Sequence, residues 1–393
     1  MWSAAQPVAT LSGVTADNIS AELLNSSQPL HLPGFAAHWP AVSAAKQGER
    51  AISDYLLSNY SGEPLTTYTS DAQSGGRVFY NADFSGFNFK PVHAKLDQLL
   101  APSNNAAHWY VGSTFVPRWF PQWLQQQHVP ALAESVNNPL ISLWIGNQSR
   151  VAAHADLPQN LAVVVAGRRR FTLFPPEQLA NLYIGPLDVT PAGQAISLVD
   201  FAKPDLTQFP KFAEAMAQAQ VIELEPGDAL IIPSMWWHHV EALSPLNVLM
   251  NFWWRDSPAF APSPQLALKL AMLSINALPP EQKAAWRAHF EHYVFGEGNA
   301  EHIPQHLRGL QGPLTEPLAR QARAERARRE LQREVPRRVP ERTLVPDAAT
   351  SQGGHCALAA RLQRGQTAQQ SGAHPASTIR PAAPPARWRC CWQ

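Results

Sequence analysis

The sequence predicts a mainly β fold, an antiparallel barrel or sandwich, with mixed helical and extended segments before it and a helical hairpin after it. Short runs rich in β-branched and aromatic residues carry this reading: Leu140–Gly146, Leu161–Gly167, Arg169–Phe174, Val221–Leu224, Ala229–Pro233 and Val248–Trp254. Turn signals such as Pro226-Gly227-Asp228 separate them, and no long helical pattern is interleaved, which argues against a parallel α/β sheet. A jelly roll is one standard way to close such a set of strands.

In chain order, residues 1–135 mix helical stretches, predicted over Ala16–Leu24, Ala51–Leu57 and Pro91–Leu100, with breaks at Gly75-Gly76 and Ser103-Asn104-Asn105. This stretch reads as an α+β lead-in to the strands, so 1–262 is expected to form one domain. Beyond it the strand signal stops. Ser263–Ala277 and Pro280–Val294 are predicted as helices joined by the breaker Leu278-Pro279-Pro280, in a segment 263–312 expected to pack on the core or on a second subunit. From Pro313 to Gln393 the chain is Arg-, Ala- and Pro-rich with few large apolar residues. Such a composition buries too little to offset the entropy of ordering, so this stretch is expected to be disordered apart from a short helix over 316–334. It resembles neither a domain nor a targeting signal and reads as sequence foreign to the folded protein.

The chain has 393 residues, 45% hydrophobic and 16% charged, enough apolar material for a sizeable core. Its net charge of +1 conceals a division. The stretch from Pro313 holds 14 Arg, no Lys and 6 acids, a net of +8, which leaves residues 1–312 with 17 basic and 24 acidic residues, a net of −7. An acidic body argues against nucleic acid as partner, because phosphate binding needs a basic stripe. Cys356, Cys390 and Cys391 all lie beyond the predicted core, which removes thiolate metal sites and disulfides from it. The opening MWSAAQPVATLSG lacks a basic and then apolar leader, and no run reaches the roughly 18 apolar residues of a membrane span. The expectation is a cytoplasmic protein whose core chemistry uses His, carboxylates or hydroxyls.

Two constellations offer such groups. In His154-Ala155-Asp156 an imidazole and a carboxylate two residues apart share one face of an extended strand. In Trp236-Trp237-His238-His239-Val240, His238 shares parity with Trp236 and Val240, the apolar set expected to face inward, and is the expected third ligand; His239 is expected in a supporting or rim position. Taken alone, His238 reads equally as a core histidine bonded to backbone. Two histidines and one carboxylate leave open positions on an octahedral metal and suit non-haem Fe(II), while Zn²⁺ with a water remains a chemical competitor. A cosubstrate pocket would separate the two. Gly167-Arg168-Arg169-Arg170-Phe171-Thr172-Leu173 bears on it, because Arg169 shares parity with Phe171 and Leu173. An inward guanidinium needs a bound or internal carboxylate, since an unpaired buried charge costs several kcal/mol; an exposed strand carrying three solvated arginines is the alternative.

With these motifs in order, the sequence resembles the cupin-like JmjC proteins, and within them the branch of asparaginyl hydroxylases that inhibit hypoxia-inducible factor. The stretch that carries the resemblance runs from Leu143-Trp144-Ile145-Gly146 through His154-Ala155-Asp156, Asn160, Phe174-Pro175-Pro176-Glu177-Gln178, Leu182-Tyr183, Phe209-Pro210 and Pro226-Gly227-Asp228 to Trp236-Trp237-His238-His239 and Asn251-Phe252-Trp253. The resemblance implies a double-stranded β-helix, the jelly roll of the cupin/JmjC type, binding Fe(II) through His154, Asp156 and His238 with 2-oxoglutarate as cosubstrate. It places the lysine that anchors the far carboxylate of 2-oxoglutarate on Arg169, which keeps the charge. It matches Asn251 to an asparagine near the cosubstrate, Asn160 to a pocket-lining polar residue, Trp253 to an aromatic wall and Tyr110 to a tyrosine that bonds the same carboxylate. It departs at Val151, where the family has a threonine, so one hydroxyl contact to the cosubstrate is missing.

The function expected is an Fe(II)- and 2-oxoglutarate-dependent oxygenase hydroxylating an unactivated C–H bond, with a protein or peptide substrate preferred. The resemblance also implies a homodimer through the C-terminal helices. The rival readings are a metal-binding cupin without 2-oxoglutarate chemistry, acting as isomerase or hydrolase, and a non-catalytic ligand-binding cupin.

Overall fold

The computed structural model describes residues 5–311 other than 103, 105, 137, 138, 259 and 297–299. The expected short helix over 316–334 and the expected disorder of 313–393 lie outside the described residues. The chain divides between residues 259 and 260 into two compact units.

In the first unit the strands are β1 (Gln6–Pro7), β2 (Ala9–Thr10), β3 (Leu30–Leu32), β4 (Leu65–Ser70), β5 (Arg77–Val78), β6 (Lys90–Ala94), β7 (His108–Phe115), β8 (Leu140–Gly146), β9 (Ser149–Ala155), β10 (Gln159–Ala166), β11 (Arg169–Phe174), β12 (Gln220–Leu224), β13 (Ala229–Ile232), β14 (Trp237–Ala242) and β15 (Asn247–Trp254). The last eight build the double-stranded β-helix. One sheet holds them in the order β12-β11-β14-β9 and the other in the order β13-β10-β15-β8, antiparallel throughout. Short strands extend both edges: β1 and β5 flank the first sheet, while β2-β3 and β7-β4-β6 flank the second.

Three layers of side chains follow from alternation along these strands. Ala162, Val164, Phe171, Leu173, Leu230, Ile232, Trp236, Val240 and Leu249 point between the two sheets. The opposite face of the second sheet, with Leu161, Val163, Ile231 and Phe252, buries Trp39, Val42, Ile52, Leu56 and Trp123 of the lead-in. The opposite face of the first sheet, with Phe174 and Trp237, packs on Leu182, Phe201 and Phe212 from the long connection between β11 and β12. Strand β10 is buried on both faces, which is why it reads as an unbroken apolar run.

The lead-in departs from its sequence reading in two places. Ala16–Leu24 is helical only over Ala21–Leu24, where the Ser20 hydroxyl accepts from the Leu23 N–H. Pro91–Leu100 is not one helix: Lys90–Ala94 is a strand paired with β4, and the helix is Leu96–Leu100. A residue before proline avoids helical angles, and a sheet edge tolerates the missing N–H of Pro91; β6 is such an edge.

In the second unit, helices span Pro264–Ile275, capped by the Ser263 hydroxyl accepting from the Gln265 N–H, and Pro280–Phe290. Leu266, Leu268, Leu270, Leu273 and Trp286 on them are exposed. No helix among the described residues is long and apolar enough to cross a membrane.

Candidate metal centre

The antiparallel register of β9 and β14 sets His154 directly opposite His238, with ring centroids 4.3 Å apart. Asp156 lies one residue past the end of β9, with Oδ2 3.6 Å from His238 Nε2. One ligand atom from each of these side chains lies within 4.8 Å of the others. Each histidine carries the same restraint. His154 Nδ1 lies 2.9 Å from the Ala152 carbonyl and His238 Nδ1 lies 3.1 Å from that of Trp236, each two residues earlier in the chain. With Nδ1–H donating there, Nε2 of both rings is left as a lone-pair donor, the tautomer a metal requires. Burial, reinforced by the neighbouring His154, pushes the His238 imidazole down to about 4, so it is neutral and ready to ligate at pH 7.

A bulge sets this geometry. Between the pairs His238–His154 and Val240–Val151, β14 advances two residues while β9 advances three, so Ala152 and Ala153 together stand opposite His239. Strict alternation would set Val151 and His154 on opposite faces of β9. The extra residue turns both toward the space between the sheets, where Val151 packs beside Val240.

His239 points the other way. It is 5% exposed and lies 4.4 Å, ring to ring, from Phe201 on the far side of the sheet, and among the described residues neither ring nitrogen has a hydrogen-bond partner. Of the supporting or rim positions expected for it, burial overturns the rim: alternation that turns His238 inward drives its neighbour into the layer of side chains behind the sheet. Burial, with Arg150 and Arg77 nearby, pushes its imidazole down to about 3.

The same interior holds further polar groups. Arg169 is 2% exposed, whereas Arg168 and Arg170 lie on the outer face and pair with Glu223, Arg170 also with Glu241. The Arg169 Nε has no hydrogen-bond partner, and among the described residues no carboxylate pairs with this guanidinium. Burial lowers it to about 10, opposed by Tyr110. Desolvation in turn raises the Tyr110 phenol, whose ring lies 5.7 Å from Trp144. Asn251 donates from Nδ2 to Asn160 Oδ1 at 2.6 Å, leaving its own Oδ1 unpaired. Trp253 stands edge-on to Trp144 at 5.7 Å, its indole N–H likewise unpaired. Arg169 is four residues along β11 from Leu173, the residue opposite His238. At the usual strand rise this is about 13 Å between backbones, a span that the long Arg side chain shortens.

One contact lacked any sequence signal. Gln194, in the connection between β11 and β12, donates from Nε2 to Asp156 Oδ1 at 3.1 Å.

The donor set fits a divalent metal without thiolate ligands: two imidazoles and one carboxylate, convergent and largely withdrawn from solvent, suit non-haem iron. A buried cation that has no acid partner among the described residues, with an unpaired indole N–H in the same interior, fits an anionic ligand held there.

Comparison with known proteins agrees with this architecture. The model of the family described as "Cupin-like domain" matches residues 16–260. The chain is 31% identical over 134 residues to "Lysine-specific demethylase JMJ31" of Arabidopsis thaliana, covering 34% of this chain and 24% of that protein. It is 37% identical over 114 residues to "HSPB1-associated protein 1" of Homo sapiens, covering 28% and 23%. It is 31% identical over 149 residues to "tRNA wybutosine-synthesizing protein 5" of Danio rerio, covering 36% and 40%. The matched stretches thus span well under half the length of these relatives. With the family model covering most of the chain and the eight-stranded core built as described, this chain belongs to the cupin-like domain family.

Proposed function

We propose that the protein is an Fe(II)- and 2-oxoglutarate-dependent oxygenase that hydroxylates an unactivated C–H bond. One observation carries the reading past a bare metal site: Arg169 is a buried guanidinium with no acid partner among the described residues, in the interior that also holds His154, Asp156 and His238. The metal ligands by themselves give such a cation no partner. A dicarboxylate cosubstrate supplies the missing charge.

In this reading His154 Nε2, an Asp156 oxygen and His238 Nε2 hold the metal. Arg169 anchors the far carboxylate of 2-oxoglutarate with Tyr110 beside it, and the fork geometry of arginine allows a bidentate contact. Asn251, its Nδ2 committed to Asn160, lines the pocket beside that residue, and Trp253 with Trp144 walls it. Val151 offers no hydroxyl to that carboxylate, which leaves Arg169 and Tyr110 to hold it. Bound iron and 2-oxoglutarate supply the oxidising power: R–H, O₂ and 2-oxoglutarate give R–OH, succinate and CO₂, one oxygen atom of O₂ entering each of the alcohol and succinate. The chain's share is to hold these groups in place and keep water out.

A protein or peptide is the preferred substrate, in keeping with the acidic body of residues 1–312. RNA is the second reading, favoured by the similarity to a tRNA wybutosine-synthesizing protein. A homodimer through the helices Pro264–Ile275 and Pro280–Phe290 belongs to the proposal, since Leu266, Leu270, Leu273 and Trp286 are exposed there; equilibrium sedimentation of the full chain tests it. A cytoplasmic location also belongs to the proposal, since a reducing environment keeps iron ferrous.

The test is conversion of 2-oxoglutarate to succinate under air, with peptide and tRNA pools screened by mass spectrometry for the gain of one oxygen atom. Succinate that depends on Fe(II) and is lost in Arg169→Ala supports the oxygenase. Metal-dependent turnover of other substrates without 2-oxoglutarate supports an isomerase or hydrolase. Metal binding without any turnover supports a ligand-binding cupin.

A further inference from the structure

Gln194 sits on a segment that finishes the edge of the ligand strand. On its outer side β9 pairs with β5 only at Arg150 and Val151. Beyond that the edge is taken up by the chain from Ile184 to Leu198, which folds back on itself through the Ile184–Ser197 bridge and the Gly185 N–H bond to the Ile196 carbonyl at 2.9 Å. Ile196 bridges His154, and the Ser197 N–H donates to the Ala153 carbonyl at 2.7 Å. Tyr80 donates its hydroxyl to the Val189 carbonyl at 2.6 Å, tying the same segment down at a second point. Gln194 is therefore delivered to the metal ligands by backbone pairing.

Its amide meets Asp156 in a particular way. Nε2 donates to Oδ1 at 3.1 Å, while the other oxygen, Oδ2, is the one that lies 3.6 Å from His238 Nε2. The carboxylate is thereby divided: one oxygen is committed to an amide donor and the other is turned toward the histidines. A free carboxylate can present either oxygen, or both, to a metal. This one is restrained at 6% exposure, where water competes little for Oδ1.

We propose that Gln194 is a positioning residue for the metal, holding Asp156 as a one-oxygen donor and so preserving open positions for further ligands. The proposal rests on the triad being a metal site. Groups that orient metal ligands in this manner typically change metal affinity by about 10–100-fold when removed.

The test uses the full chain, with Co(II) as probe under anaerobic conditions. Gln194→Met keeps the side-chain length and removes the donor. It should bind Co(II) at least about tenfold more weakly, with an altered visible ligand-field spectrum and an unchanged melting temperature of the metal-free protein. In an Asp156→Ala background, titrated with Ni(II) to exploit its affinity for imidazole, the same change at Gln194 should have no effect, because the coupling runs through the carboxylate. Wild-type affinity and spectrum in Gln194→Met would overturn the proposal. Equal loss in both backgrounds would overturn it too, by showing that Gln194 acts through the fold. Failure of the wild-type chain to bind Co(II) would instead sink the metal reading itself, a distinct result.

Discussion

His154 and His238 are cross-strand partners whose rings meet at 4.3 Å, and each commits Nδ1 to the carbonyl two residues before it. The pair is held from the backbone, so its geometry exists before any metal arrives. That preorganisation frames the expectations below.

Loss of a donor should be more damaging than loss of a supporting contact. His154→Ala and Asp156→Ala are each expected to weaken Fe(II) binding by more than the roughly 10–100-fold typical of supporting residues, with circular dichroism unchanged. Anaerobic isothermal titration measures this. Near-wild-type affinity in either variant would remove that residue from the centre.

Arg169 should separate cosubstrate from metal. Arg169→Ala is expected to weaken 2-oxoglutarate by about tenfold to a hundredfold, the range for losing a hydrogen bond to a charged group, while iron affinity stays near wild type. In the ligand-free protein, Arg169→Met should leave unfolding stability within about 1 kcal/mol of wild type or raise it, because a buried cation without a partner contributes little to the fold. A marked loss of stability in urea titration would mean the guanidinium is structural.

Asp228 ties the turn before β13 to the lead-in. Oδ1 accepts the Gly34 N–H at 2.8 Å and Oδ2 accepts the Glu225 N–H at 3.0 Å, with His31 Nε2 at 3.6 Å from Oδ2. Burial pushes this carboxyl up, but His31 and the two backbone donors outweigh it and hold it below the usual carboxylate range. A carboxyl depressed in the folded state stabilises it above the unfolded value and loses that contribution as pH falls through the folded value. Asp228→Ala should therefore cost about 2 kcal/mol at pH 7, from lost bonds to a charged acceptor, and less at pH 2, where the charge-dependent part is being lost while the two N–H bonds to a neutral carboxyl persist. Urea unfolding at both pH values checks the sign; an equal loss at each would show that the charge is immaterial.

Much of this was legible in the residues themselves. The strands β8, β10, β11, β12, β13 and β15 announced themselves by Val, Ile and aromatic runs, because each is buried on one or both faces. Parity with Phe171 and Leu173 raised an inward Arg169 without deciding it against an exposed run of arginines; burial decides it, and the outward neighbours pair with Glu223 and Glu241 as a surface charge run does. Other features left no trace in the pattern. The bulge at Ala152 and Ala153 is a property of the β9–β14 pairing, and small alanines do not mark it. Gln194 bonds Asp156 across 38 residues of chain through a connection with no motif. A rim position for His239 is a natural expectation because a second histidine beside a ligand invites a polar role, whereas alternation gives it an aromatic neighbour, Phe201.

The central claim is that His154, Asp156 and His238 hold iron while Arg169 holds 2-oxoglutarate beside it. Anaerobic addition of Fe(II) and then 2-oxoglutarate to the full chain, followed in the visible spectrum, tests it most directly. A metal-to-ligand charge-transfer band that needs both additions, and that disappears in Asp156→Ala and requires far more 2-oxoglutarate in Arg169→Ala, is the expected result. Iron binding with no such band at saturating 2-oxoglutarate would contradict the account.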